Sequence, residues 1–268
     1  MDKYLNIFSL KEKTALVTGG LGVLGKSFCE ALSAYGADVV VIDLDAAAVK
    51  EFSDSISERY ETNSIGLSCD ITCPDQVHKC VEIISERYDS IDILHNNAQG
   101  ETAAKPFEDC TLEDWRKTSS VNEEGYFLMA QAVGKKMVEQ GIGGSIIQTS
   151  SIYGILGPDQ RIYDQSLIDG QPMGSRAVYS YTKAGVIGLT KYLATYWAKN
   201  NIRVNSITPG GVYNGQNDKF VKQYSNRIPL GRMAERQDIV GALIYLASDA
   251  SSYVTGQNLI IDGGLHAW

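Results

Sequence analysis

The sequence predicts an α/β fold: one doubly wound parallel sheet of about seven strands with helices on both faces. Three observations point to it. Seven short apolar runs recur along the 268 residues, helical patterns separate them, and Val, Ile and Leu fill the runs without strict polar alternation. A strand that lacks alternation is covered on both faces, as in a parallel sheet flanked by helices. Regular alternation of strand and helix selects the doubly wound architecture, in which ligands bind beyond the carboxyl ends of the strands. No internal repeat or low-complexity linker divides the chain, so residues 1–268 are read as a single domain with a built-in substrate pocket.

TALVT (14–18) is the first strand, and TGGLGVLG (18–25) leads from it into a helical stretch at 23–35. Gly19, Gly22 and Gly25 permit a tight turn and close approach of a pyrophosphate to backbone N–H groups, and the helix N-terminus favours the negative charge. A glycine-rich turn alone is a weak signal. Its position between strand and helix is the context a dinucleotide-binding loop requires. DVVVID (38–43) is the second strand and ends on Asp43. A carboxylate there can accept hydrogen bonds from both adenosine ribose hydroxyls and would repel a 2′-phosphate, so NAD(H) is expected to be preferred over NADP(H). Capping of the next helix, at 45–60, suits Asp45 better than Asp43.

SIGLSC (64–69), a helix at 75–88, IDILHN (91–96) and a helical stretch at 111–140, in two pieces, follow in turn. GSIIQTS (144–150), a helix at 177–199, IRVNSI (202–207), a helix at 235–247 and NLIID (258–262) complete the alternation. Two irregular stretches interrupt it, GILGPDQRIYDQSLIDGQPMGSR (154–176) and PGGVYNGQNDKF (209–220). A loop as long as the first is usually functional or disordered. Both leave strand ends at the same edge of the sheet, so loops 152–177 and 211–227 are expected to wall a pocket.

The helix after the long loop contains YSYTK (179–183). Positions four apart share a helix face and positions two apart do not, so Tyr179 and Lys183 can meet while Tyr181 points elsewhere. An ammonium beside a phenol would lower a pKa that is otherwise near 10. By itself the pair is equally an ordinary turn of helix.

A net charge of −8 argues against nucleic-acid backbones and anionic membrane surfaces as partners. MDKYLNIFSLKEK is charged at both ends, so no secretory leader is expected there, and no run reaches the roughly 20 apolar residues of a bilayer span. The cysteines at 29, 69, 73, 80 and 110 are odd in number and show no CxxC spacing. Reduced thiols in a cytoplasmic protein are expected. With three scattered histidines, no metal site is expected.

Taken together, these motifs resemble the short-chain dehydrogenase/reductase family over nearly the whole chain. The resemblance rests on the glycine loop, Asp70 in CDIT, Asn96-Asn97-Ala98, Asn122 in SVNEEGYF, and Ser150-Ser151. Tyr179 with Lys183, Pro209-Gly210 and the final IDGG complete the series in the family's order. It implies a Rossmann-type fold and an enzyme acting on CH–OH groups. Tyr179 would be the acid/base, Lys183 would lower its pKa and hold the nicotinamide ribose, and Ser151, the second of the serine pair, would hold the substrate oxygen. Asn122 would position a water for proton transfer to Lys183. The implied cofactor set is Gly19, Leu21, Gly22, Leu24, Gly25, Asp43, Asp70, Ile71, Asn97, Ala98, Tyr179, Lys183, Pro209, Gly210, Val212 and Asn214.

Three positions depart from the family pattern. The middle glycine is Gly22, where the compact branch of the family has its glycine at the position of Val23. Gln99 stands where glycine usually follows NNA, and Asn214 replaces a threonine that binds the carboxamide.

The insertion between Ser151 and Tyr179 carries Asp159, Gln160, Arg161, Tyr163, Asp164, Gln165 and Arg176. Amides and carboxylates bond hydroxyls, and guanidinium forks onto carboxylate or phosphate. Gln99, Tyr153, Arg161, Tyr163 and Arg176 are therefore the candidate substrate residues, for a sugar, polyol or sugar acid. The same loop could instead be a solvated surface or a subunit contact. The insertion and glycine loop also resemble gluconate-dehydrogenase-like, sugar-modifying members of the family. The alternatives are a 3-oxoacyl-type ketoreductase and an inactive dinucleotide-binding regulator. Tyr126, Phe127, Met129, Leu189, Tyr192, Leu193, Tyr196 and Trp197 on two helices exceed what one sheet face needs, and self-association into a dimer or homotetramer is expected.

Overall fold

The computed structural model describes residues 4, 6–101, 106–163, 166–168, 171, 172, 174 and 176–268. Its elements are β1 (Thr14–Thr18), α1 (Gly25–Ala34), β2 (Asp38–Asp43), α2 (Ala46–Tyr60), β3 (Ile65–Ser68), α3 (Pro74–Arg87) and β4 (Ile93–Asn96). There follow α4 (Leu112–Ser119), α5 (Tyr126–Gln140), β5 (Gly144–Thr149), β6 (Leu167–Ile168), β7 (Gln171–Pro172) and α6 (Ala177–Tyr196). The chain closes with β8 (Ile202–Pro209), α7 (Asp218–Ser225), α8 (Arg236–Ala247) and β9 (Asn258–Ile261).

Seven strands form one parallel sheet in the order β3-β2-β1-β4-β5-β8-β9. The absence of polar alternation has the expected cause. Ala15, Val17, Val39, Val41, Ile93 and Ile147 pack into one layer with Phe28 and Leu32 of α1 and Leu243 of α8. Their neighbours Leu16, Val40, Ile42, Leu94 and Ile146 pack into the other with Ile84 of α3, Val133 of α5 and Leu193 of α6. Each fully buried Val, Leu or Ile contributes roughly 1.5–3 kcal/mol relative to exposure. Both faces are therefore worth covering. The chain runs outward from β1 to β3 and then returns to β4, so a crevice opens where the strand order reverses.

Local chemistry sets several boundaries. Asp45 caps α2 by accepting from Ala47 N and Ala48 N at 3.0 Å each. Thr111 and Asp114 form a reciprocal capping box on α4. The predicted break within 111–140 is a π turn at Ser120–Gly125, a helical irregularity frequent at functional sites. Two predictions need correction. Residues 209–220 are not irregular throughout, because α7 begins at Asp218, capped by Asn217 accepting from Phe220 N at 2.9 Å. Phe220 and Tyr224, four apart, are the buried face of this helix; a run of only eight residues is too short for periodicity to stand out. The long loop also carries a two-stranded antiparallel ribbon, β6–β7, whereas Asp164 and Gln165 lie outside the described residues. Among the described residues no helix is long and apolar enough to cross a membrane, and no group of three or more His, Cys, Asp or Glu could hold a metal ion.

Candidate active site

A cleft of about 870 Å³ lies at the carboxyl ends of the strands, over the point where their order reverses. Of the sequence-predicted residues, Gly19, Leu21, Gly22, Leu24, Asp43, Asp70, Ile71, Asn97, Ala98, Ser151, Tyr179 and Lys183 line it. Pro209, Gly210, Val212, Gln99, Tyr153, Tyr163 and Arg176 do too.

The glycine loop is built by exclusion. Gly19 has φ +63° and sits against Ala98, so a Cβ there would be both strained and 2.7 Å from Ala98 Cα. A Cβ at Gly25, the first residue of α1, would lie 2.0 Å from the Gly19 carbonyl. Gly22 is under far less constraint, with only that carbonyl at 3.2 Å. The tightly held third position is Gly20, whose Cβ would meet Val41 Cγ1 at 2.6 Å. The departure at Gly22 and Val23 thus falls where the loop tolerates it. Asn97 clamps the loop from β4, donating from Nδ2 to Thr18 O and Gly19 O at 3.2 Å each. Asp43 accepts from Leu21 N at 3.0 Å and from Leu44 N at 2.8 Å, which fixes its carboxylate at the end of β2. Asp70 accepts from Thr72 N and Oγ1, holding the turn after β3. These groups fit a dinucleotide: a backbone cradle with no room for a side chain, a helix start and a ribose carboxylate.

At the other half of the cleft, Tyr179 lies beside Ser151, close enough for the serine hydroxyl to pull the phenol's pKa down. Ser150 is turned away, its hydroxyl donating to Lys183 O at 2.7 Å. Lys183 Nζ is buried and donates to Thr149 O at 2.8 Å and to Tyr126 Oη at 3.4 Å. It lies 5.8 Å from the Tyr179 ring centre. The shared helix face is therefore real. Burial pushes the Tyr179 phenol up, while the Ser151 hydrogen bond and the Arg176 charge pull it down, and Lys183 is not among the groups that shift it. Lys183 is itself desolvated, which lowers its pKa to about 7. Tyr181 is exposed, with its ring 5.1 Å from that of Trp115 on α4 and outside the cleft.

Asn122 lies in the π turn behind the cleft. Its Oδ1 accepts from Gly100 N at 2.9 Å and its Nδ2 donates to Thr182 Oγ1 at 3.0 Å, so the side chain ties the turn to α6 beside Lys183. Like Gly25, Asn122 does not line the cleft, and two further predicted residues are held outside it. Asn214 is exposed, accepts from Arg236 at 3.1 Å and leaves its place on the wall to Gln216. Arg161 is also exposed and forks onto Asp159.

The reading of the sequence missed Phe220, Tyr224 and Met233, which line the substrate end. Tyr224 Oη accepts from Gly211 N at 2.7 Å and so anchors α7 over the mouth. The four-residue spacing of Phe220 and Tyr224 was a faint signal in so short a helix, and Met233 had none. His95 does not line the cleft: it is fully buried, with Nε2 2.8 Å from Thr149 Oγ1 and a pKa lowered to about 3, chiefly by desolvation and then by Lys183.

A family model described as enoyl-(acyl carrier protein) reductase matches residues 22–266. An NADH-dependent L-xylulose reductase of Ambrosiozyma monospora is 32% identical over 286 residues, covering 100% of both chains. Among solved structures, a short-chain dehydrogenase of Leptospira borgpetersenii with bound NAD+ superposes with a TM-score of 0.86 at 35% identity, covering 99% of this chain and 96% of that one. A gluconate 5-dehydrogenase of Burkholderia cenocepacia, in complex with NADP and tartrate, gives a TM-score of 0.88 at 29% identity, covering 99% of each chain.

Proposed function

The chain belongs to the short-chain dehydrogenase/reductase family, and from that premise we propose that it interconverts a secondary alcohol and a ketone on a sugar, polyol or sugar-acid substrate, with NAD(H) preferred. The observation that carries this reading is that Tyr179, Ser151 and Lys183 line the same cleft as the glycine loop and Asp43. Loss of hydride from an alcohol carbon gives a carbonyl only if the hydroxyl proton also leaves, so a proton acceptor is needed at that oxygen. The nicotinamide, when bound, supplies the hydride acceptor. Tyr179 takes the proton, Ser151 holds the oxygen, and Lys183, which lines the same cleft, would hold the nicotinamide ribose. Asn122 braces the turn against α6. Similarity to an L-xylulose reductase and a gluconate 5-dehydrogenase supports a hydroxyl-rich substrate. Sugars, polyols and sugar acids screened for NADH formation test it; absence of turnover across the whole panel would overturn it.

Cofactor choice rests on Asp43. Asp43→Ala is expected to lower the ratio of kcat/KM for NAD(H) over NADP(H) by about tenfold or more, the scale of a lost charge-assisted hydrogen bond. The carboxylate also holds Leu21 N, so both cofactors should lose affinity and only the ratio isolates the ribose contact. A wild-type protein favouring NADPH would count against the assignment.

Assembly into dimers or tetramers is proposed from the faces of α4, α5 and α6. Tyr126, Met129, Leu193 and Trp197 are consumed by the chain's own core, but Phe127, Tyr192 and Tyr196 remain exposed, as do Tyr181 and Leu112. Such a patch favours closed, symmetric association. Light scattering at micromolar concentration should give twice or four times the 29.2 kDa chain mass, and a monomer would refute the proposal. All five cysteines are free thiols, in keeping with a reducing, cytoplasmic setting.

A further inference from the structure

Part of the insertion between β5 and α6 is docked against the substrate end of the cleft. A short helical turn, Gln160–Tyr163, buries Ile162 in one cluster with Phe220 and Tyr224 of α7 and with Ile228 and Met233 beyond it. Asp159, at the start of this turn, pairs with Arg227, just past α7, at 2.9 Å. The Tyr163 ring lies 5.8 Å from that of Phe220. An ion pair and a shared apolar cluster give Tyr163 a fixed place that a solvated loop would not.

From that place Tyr163 reaches the segment that follows the serine pair, its hydroxyl donating to Tyr153 Oη at 2.7 Å. Tyr153 is in turn tied to the reacting end. Its backbone N donates to Ser151 Oγ at 3.3 Å, and its phenol stands close enough to Tyr179 for charge on that residue to oppose its own ionisation. Both Tyr153 and Tyr163 line the cleft. Burial pushes both phenols up, Tyr163 to about 12, so near neutral pH the pair acts through hydrogen bonds and not through charge.

A phenol carries one hydrogen and two lone pairs. One hydrogen is used inside the pair, so a second remains to be donated, next to oxygen lone pairs that can accept. A fixed donor and acceptor side by side match a group that also does both. A hydroxyl does; a methylene does neither, and a carboxylate only accepts. An apolar group placed there would displace water and leave the phenols unpaired, which costs binding.

We propose that the Tyr153–Tyr163 pair selects the substrate by a second hydroxyl, which Tyr153 touches while Tyr163 positions Tyr153. The enzyme would then take diols and polyols and discriminate against the same alcohol with that hydroxyl removed. The inference rests on the oxidoreductase reading above. In oxidation the carbinol C–H leaves as hydride to NAD+, the O–H proton goes to Tyr179, and the second hydroxyl is unchanged. Its role is orientation, since it fixes which carbinol of a polyhydroxy chain meets Ser151.

The test uses the full-length protein with NAD+ and a panel of pentitols and hexitols, each beside monodeoxy analogues that keep the reacting carbinol. The wild type should favour the parent polyol over one analogue in kcat/KM by at least about tenfold. Tyr153→Phe should cut that ratio by about fivefold, and Tyr163→Phe by about threefold. In the double variant the Tyr163 substitution should add nothing, because a positioning residue has no effect once the group it positions is gone. Fully additive effects would overturn the positioning role. Any change in the Tyr179 pKa acts on both members of a pair and cancels in the ratio. Calorimetric binding of a pentitol and its analogues to the NADH-loaded protein gives a readout without turnover. A preference for the pentitol that Tyr153→Phe removes would sustain the inference even if no alcohol were oxidised, in which case the oxidoreductase reading alone would fail. An equal fall in kcat/KM for polyol and analogues, with the ratio unchanged, would overturn the inference and leave that reading intact. A Tyr153→Phe loss confined to carboxylate-bearing substrates would overturn it too.

Discussion

Tyr179→Phe is expected to lower NADH formation by roughly 10²–10⁴-fold, the range for removal of a positioned acid/base, while NADH binding stays within about twofold of wild type. The substitution removes one hydroxyl and keeps the ring that packs in the cleft wall. Ser151 remains to hold the substrate oxygen, but the alcohol proton has no acceptor. Tyr181→Phe is the internal control, because that ring lies on Trp115 outside the cleft and should cost little. Loss of turnover in Tyr181→Phe with retention in Tyr179→Phe would reverse the assignment. The pH profile carries the same argument. Phenolate is the form that accepts the proton, so oxidation should rise with pH, and carbonyl reduction, which needs the phenol, should fall. Burial raises the Tyr179 pKa and the Ser151 hydrogen bond lowers it. Ser151→Ala should therefore move the oxidation profile to higher pH; a move to lower pH would contradict the geometry.

The second large effect belongs to the phosphate loop. Gly25→Ala places a methyl group 2.0 Å from the Gly19 carbonyl, a contact no side-chain rotation relieves because both partners are backbone. Overpacking in well-packed regions typically costs 1–3 kcal/mol, and here the strain falls on the loop that must receive the pyrophosphate. Fluorescence titration should show NADH affinity reduced at least about tenfold, with a lower Tm. Gly22→Ala meets the same carbonyl at 3.2 Å and should be much milder on both measures. Equal losses in the two variants would show that the loop is held by something other than this close approach.

The sequence by itself determined the sheet, because unalternated apolar runs can be satisfied only by cover on both faces, and it determined the strand ends at which Asp43, Asn97 and Ser151 stand and the helix that carries Tyr179. These are local facts: a period of two or of four, a turn that needs glycine, a residue that ends a strand. Tertiary structure decided what depends on partners distant in the chain. Arg161 and Arg176 look alike in the sequence, yet Asp159 draws the first into solvent and the fold leaves the second in the cleft. Asn214 stands close to a strand end, but Arg236, 22 residues on, holds it outside. The four-residue spacing of Tyr179 and Lys183 foretold their common face but not how strongly burial acts on both groups. Spacing reports direction, whereas charge depends on solvent, and only the packed structure shows that Lys183 is buried deeply enough to bring its pKa down to about 7.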